Sequence, residues 1–170
     1  ADKICAVIKR SIHIFSNFFD GKMIDSLIIG ALTFVSMMII SLFGVPGFSN
    51  CALLVGIVVG ITNMIPYFGP FLGGIPSILL LCIYSLNSAL IFAILIIVIQ
   101  QLDGNLIGPK ILGNSTGLRP LWIIFAITLG GWIAGIPGML LGVPFVAVIA
   151  GLLEDWVNER LEAKNIDMPI

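Results

Sequence analysis

Apolar residues run through this chain in blocks long enough to cross a bilayer, and polar residues interrupt them at only a few places. Along residues 2–19 the apolar side chains fall at helical spacing (Ile4, Val7, Ile8, Ile12, Phe15, Phe18, Phe19), with Lys3, Lys9 and Arg10 on the more polar side. This pattern predicts an amphipathic helix lying in the interface rather than spanning it. Asp20-Gly21-Lys22 reads as a turn, and Leu27 to Phe43 as the first span, stopped by Gly44-Val45-Pro46-Gly47. Phe48 to Ile65 is the second span, in which Gly56 and Gly60 suit close helix packing in lipid. Pro66 to Pro76, PYFGPFLGGIP, then breaks an apolar run with three prolines and three glycines. Two short runs, Ser77–Ser85 and Leu90–Ile99, flank the polar break at residues 85–88. Another short pair, Leu121–Ala134 and Pro137–Leu153, is divided by the Gly/Pro corner at residues 135–138. The fold expected is all-α: a polytopic transmembrane helical protein with short, Pro/Gly-broken helices or re-entrant hairpins. Its parts would be an interfacial helix (1–22), a transmembrane domain (23–153) and a cytoplasmic tail (154–170).

Composition turns that pattern into a solvent assignment. The chain is 59% hydrophobic and 10% charged, where soluble proteins carry about 25% charged residues. Its mean hydropathy is +1.16. No charged side chain occurs from Ser26 to Leu102, several crossings' worth at roughly 20 residues each. The lipid bilayer is therefore the surrounding medium. A net charge of −1 leaves no basic footprint for nucleic acid. Cys5, Cys51 and Cys82 are scattered and form no metal or redox spacing, and His13 has no second ligand-type residue one turn away. No metal and no cofactor is expected. Intramembrane proteolysis needs paired carboxylates, an activated Ser or a zinc motif, and ATP-driven transport needs a phosphate loop. The chain offers none of these, so it is not read as an enzyme. It begins without Met in an amphipathic segment, which suggests the C-terminal part of something longer.

One polar passage, Gln100 to Pro120, separates the two oily blocks and holds Asp103, Lys110 and Arg119. Charges elsewhere precede Ser26 or follow Leu153. Four crossings between the first two groups and two between the last two would put all of them on one face. Lys9, Arg10, Lys22, Lys110, Arg119, Arg160 and Lys164 would then share the cytoplasmic side. A charge at bilayer depth is costly and usually serves a task, so Asp103 is a candidate proton carrier in coupled transport. The alternative is a carboxylate paired with Lys110 or Arg119 that holds the loop in shape. Asn63, Tyr67, Gln100, Gln101 and Asn105 are the neutral polar groups nearest the breaks. They either hydrogen-bond a solute or satisfy the backbone freed around Pro66, Gly69, Pro70 and Pro109. Gly130, Gly131, Gly135 and Gly138 read as packing or hinge positions.

Several motifs together resemble the autoinducer-2 exporter family. NMIPYFGP (Asn63–Pro70), followed by GGIP, looks like that family's first signature. QQLDGNLIGPKILGNSTGLRP resembles the second, usually written with Glu where this chain has Asp103. GGWIAGIPGMLLGVPFVAV (Gly130–Val148) is similar to the third, and Phe18 to Pro46 fits the pattern ahead of the first. The likeness covers nearly the whole chain in order and corresponds to the C-terminal half of a full-length member. It implies a multi-pass protein of the bacterial cytoplasmic membrane, a homo-oligomer, that moves a small polar solute, a signal molecule or an ion such as Na+ against H+. It also leaves a non-transporting role, as a membrane scaffold in sporulation or envelope assembly. The Asp103 departure keeps the carboxylate and shortens its reach by one methylene.

Overall fold

The computed structural model describes residues 2–112 and 120–162. Arg119, Lys164 and the side chains of Arg10 and Arg160 lie outside that description. The described chain is all helical, in the order α1 (Asp2–Ser41), α2 (Phe48–Thr62), α3 (Gly69–Cys82), α4 (Leu86–Leu102), a π-helical turn (Asp103–Ile107), α5 (Gly108–Leu112) and α6 (Pro120–Glu162). Among the described residues, three stretches are long and apolar enough to cross a membrane: Ser11–Ser41, Leu86–Ile111 and Leu121–Leu153. The exposed surface carries large apolar side chains such as Leu27, Leu42, Phe43, Trp132 and Ile133, while Lys22, Asp25 and Asn63 are buried. That inversion of the water-soluble pattern is what lipid selects. The protein is an all-α polytopic membrane protein.

The turn expected at Asp20-Gly21-Lys22 does not form; α1 runs unbroken through it. A mid-helix glycine costs only about 1 kcal/mol. Gly21 is buried there, and Lys22 pairs with Asp25 one helical turn later, so local propensity yields to packing. The break expected over Pro66–Pro76 is also shorter than its sequence suggests. The chain leaves helix only from Asn63 to Phe68, and α3 resumes at Gly69 with Pro70 in its first turn, where a missing N–H costs nothing. Pro76 sits inside α3.

The chain divides into two compact units, residues 19–113 and residues 1–18 with 114–170. In the first, α1, α2, α3 and α4 pass back and forth around a core that includes Ile29, Met37, Phe48, Val55, Leu81 and Phe92. Gly30 of α1 meets Gly56 and Gly60 of α2, where an added Cβ would come within 2.9 Å of the Gly56 carbonyl oxygen. Such backbone approach replaces the hydrophobic drive that lipid does not supply. The α2–α3 hairpin is as tight, because a Cβ on Gly69 would collide with the Thr62 carbonyl oxygen. The loops around residues 44–47 and 83–88, which carry no charge and are the charge-free loops of this unit, share one end: Ser88 Oγ donates to the Pro46 carbonyl oxygen at 2.8 Å, and Gly47 lies against the Tyr84 ring.

In the second unit α6 is two helices. Ala134 (φ −137°, ψ 17°) and Gly135 (φ 63°, ψ −142°) leave helical geometry and turn the chain. The arms fold onto each other through Gly130, Gly138 and Gly142; a Cβ on Gly130 would strike the Gly138 carbonyl oxygen, and the reverse holds. Gly131 packs on Met139. The first arm, 120–133, is about 21 Å long at 1.5 Å per residue, short of the roughly 30 Å hydrocarbon thickness. His13 is exposed and pairs with Asn17 at 3.1 Å.

Candidate functional site

At the end of the first unit opposite the charge-free loops, polar side chains from three parts of the fold converge. Asp25 of α1 has no solvent exposure, Lys22 one turn earlier is 6% exposed, and Asn63 at the end of α2 is 2% exposed. Lys22 Nζ donates to Asp25 Oδ2 at 2.6 Å, and Asn63 Nδ2 donates to the same oxygen at 3.2 Å. Asp103, at the start of the π-helical turn, completes the group. Its carboxyl interacts with the Asp25 carboxyl, the Asn63 amide and the Lys22 charge.

Each position has a local reason. The three-residue spacing of Lys22 and Asp25 places both on one face of α1. Asn63 caps α2 with its backbone N–H bonded back into the helix, so its side chain is free to reach α1. The corner then turns through Tyr67 at φ 62°, a left-handed conformation that strains a bulky residue. The π-helical turn widens α4 at Asp103, and such one-turn bulges recur where a helix presents a working side chain. At about 1.5 Å per residue, Asp25 lies about 24 Å along α1 from Ser41, less than the roughly 30 Å thickness of a bilayer's hydrocarbon.

Hydrogen-bond accounting sets this cluster apart. Among the described residues, the buried polar side-chain atoms without a partner are Asp25 Oδ1, Ser26 Oγ, Gln100 Nε2 and Asp103 Oδ1. Buried polar groups are almost always paired. Here the unpaired ones belong to two adjacent α1 residues, to Gln100 of α4 and to Asp103 at the start of the π-helical turn. A groove of about 430 Å³ between α1 and α2 is lined by apolar side chains with Ser26 its one hydroxyl, and so has little to hold a polar solute.

The remaining sequence candidates divide. Asn63, Gln100 and Asp103 join or border the cluster. Pro66, Tyr67, Gly69 and Pro70 build the corner beside Asn63, and Tyr67 is half exposed. Gln101 and Asn105 are exposed on the other face of α4 and the π-helical turn, where Asn105 Nδ2 donates to the Gln101 carbonyl oxygen at 2.7 Å. Lys110 is exposed on α5, while Lys22 pairs with Asp25. Gly130, Gly131, Gly135 and Gly138 all lie in the bend and arms of α6. Sequence alone does not single out Lys22 and Asp25, because Asp20-Gly21-Lys22 reads as a turn and the first apolar span begins only at Leu27. Their three-residue spacing just before an uncharged run was the available signal.

The family profile described as AI-2E family transporter matches residues 1–158. The chain belongs to the AI-2E transporter family. It is 34% identical over 146 residues to the Bacillus subtilis (strain 168) protein named Putative transport protein YrrI, covering 86% of this chain and 39% of that one. It is 39% identical over 132 residues to that organism's Putative transport protein YueF, covering 78% and 34%. Against the AI-2 transport protein TqsA of Escherichia coli (strain K12) it is 27% identical over 150 residues, covering 88% and 42%. This AI-2E chain thus spans about two-fifths of the length of the relatives it matches. No solved structure matches it.

Proposed function

We propose that the protein containing this chain is a transporter of the bacterial cytoplasmic membrane that moves a small polar solute or signal molecule, driven by an ion gradient. The observation that carries this reading is the meeting of the Asn63–Phe68 corner with Asp103 across a buried ion pair. Broken backbone and ionisable groups at bilayer depth are expensive, and transporters concentrate both at the solute path. The TqsA name supports an autoinducer-class solute, and the other relatives' names support transport in general. In this reading Asn63, Tyr67 and Gln100 border the route, Asp103 stands at its cytoplasmic mouth, and copies of the chain assemble as a homo-oligomer. Lys110 and Arg119 shape the adjoining loop.

The test is flux through the full-length protein in proteoliposomes, with candidate solutes offered in the presence and absence of a proton gradient. Asp103→Asn and Asn63→Ala should each lower flux at least tenfold in folded protein. Unchanged flux in both would remove the site, and no flux of any solute or cation in the wild type would leave the scaffold role.

A further inference from the structure

Charge and hydrogen-bond counts at the buried cluster point to a ligand. Lys22 brings one positive charge and Asp25 and Asp103 one negative charge each, so the ionised group carries one negative charge too many for an apolar surrounding. Lys22 and Asn63 both donate to Asp25 Oδ2. Asp25 Oδ1 and Asp103 Oδ1 are left buried without a donor, and the two carboxyls are near enough to act on each other. A single proton corrects both deficits. Placed between the carboxyls as O–H···O⁻, it serves two acceptors with one donor and brings the group to neutrality.

We propose that Asp25 and Asp103 form one shared proton-binding site, with Lys22 as its fixed counter-cation and Asn63 as its positioning donor. The Lys22 ammonium already occupies the cation position on Asp25, 2.6 Å from Oδ2. A sodium ion would have to sit beside it and gather five or six oxygens, whereas a proton needs neither space nor a shell. Asp103 is the partly exposed member and Asp25 the sealed one, so the proton enters from water at Asp103 and leaves by the same carboxyl. Among the described residues the side chains that act on Asp103 are Asp25, Lys22 and Asn63, and Tyr67 of the neighbouring corner is half exposed. α3 contributes only Cys82, at its far end; α4 contributes neutral Gln100; Asp20 and Lys110 are exposed. The role of this proton in driving flux rests on the transport reading above, while its binding does not.

The test is infrared difference spectroscopy of the full-length protein in lipid across a pH titration, following the C=O band that distinguishes a carboxylic acid from a carboxylate. The expected result is a band equivalent to one proton per chain. It is lost in both Asp25→Asn and Asp103→Asn, kept in Asp103→Glu, and unchanged when sodium replaces choline at constant pH. A band that survives in either Asn variant would show independent carboxyls and overturn the shared site. In the wild type alone, absence of the band or its removal by sodium would overturn it equally, whatever the variants' folding. A normal band without flux would leave the proton site standing and sink the transport reading.

Discussion

Lys22→Met is the most informative perturbation, because methionine keeps most of the lysine stem and removes only the charge. In the native protein Asp25 is fully buried, and its Oδ2 receives the Lys22 ammonium at 2.6 Å and the Asn63 amide at 3.2 Å. Without the ammonium, a sealed carboxyl keeps one neutral donor and still faces Asp103. Breaking a buried pair in this way costs about 3–5 kcal/mol, and the second carboxyl places the expectation at the upper end. Removing both charges has the opposite logic: Lys22→Met with Asp25→Leu takes away the sealed charge and leaves only the neutral Asn63 amide newly without its acceptor, and replacing a buried pair with apolar side chains is often neutral or stabilising by about 1–4 kcal/mol. The double variant should therefore recover most of the loss. Unfolding of the full-length protein in detergent, followed by tryptophan fluorescence, gives all three values. A single variant within about 1 kcal/mol of wild type, or a double variant less stable than the single, would refute the buried pair.

Three further outcomes follow from backbone geometry. Gly138→Ala places a methyl against the Gly130 carbonyl oxygen and should cost about 1–3 kcal/mol; Gly104→Ala, whose Cβ meets nothing, should be neutral or gain up to about 1 kcal/mol, both read as thermal stability by size-exclusion chromatography. Tyr67→Val should lose about 1–2 kcal/mol at its positive φ, while Tyr67→Gly should stay near wild type; equal losses would mean that the side chain's contacts, not its backbone, matter. Ser88→Ala removes the bond to the Pro46 carbonyl oxygen and should cost about 0.5–1.5 kcal/mol while leaving solute flux unchanged, since it lies at the end away from Asp103.

Oil and punctuation were enough to determine the class of this protein. An uncharged run from Ser26 to Leu102 admits only helices in lipid, and the glycine and proline corners at 44–47 and 135–138 mark true reversals of the chain. The isolation of Asp103 in an apolar block was equally legible. What the linear chain could not display was the company Asp103 keeps. Its neighbours in sequence, Lys110 and Arg119, offered one possible pairing within the loop; the fold brings Lys22, Asp25 and Asn63 to it from α1 and the end of α2. That choice belongs to tertiary packing, because Gly30, Gly56 and Gly60 set how closely α1 and α2 approach, and only at that separation can Asn63 reach Asp25. The same packing overrode the local turn signal at Asp20-Gly21-Lys22, since a helix supported along its length tolerates a glycine that an isolated one would not.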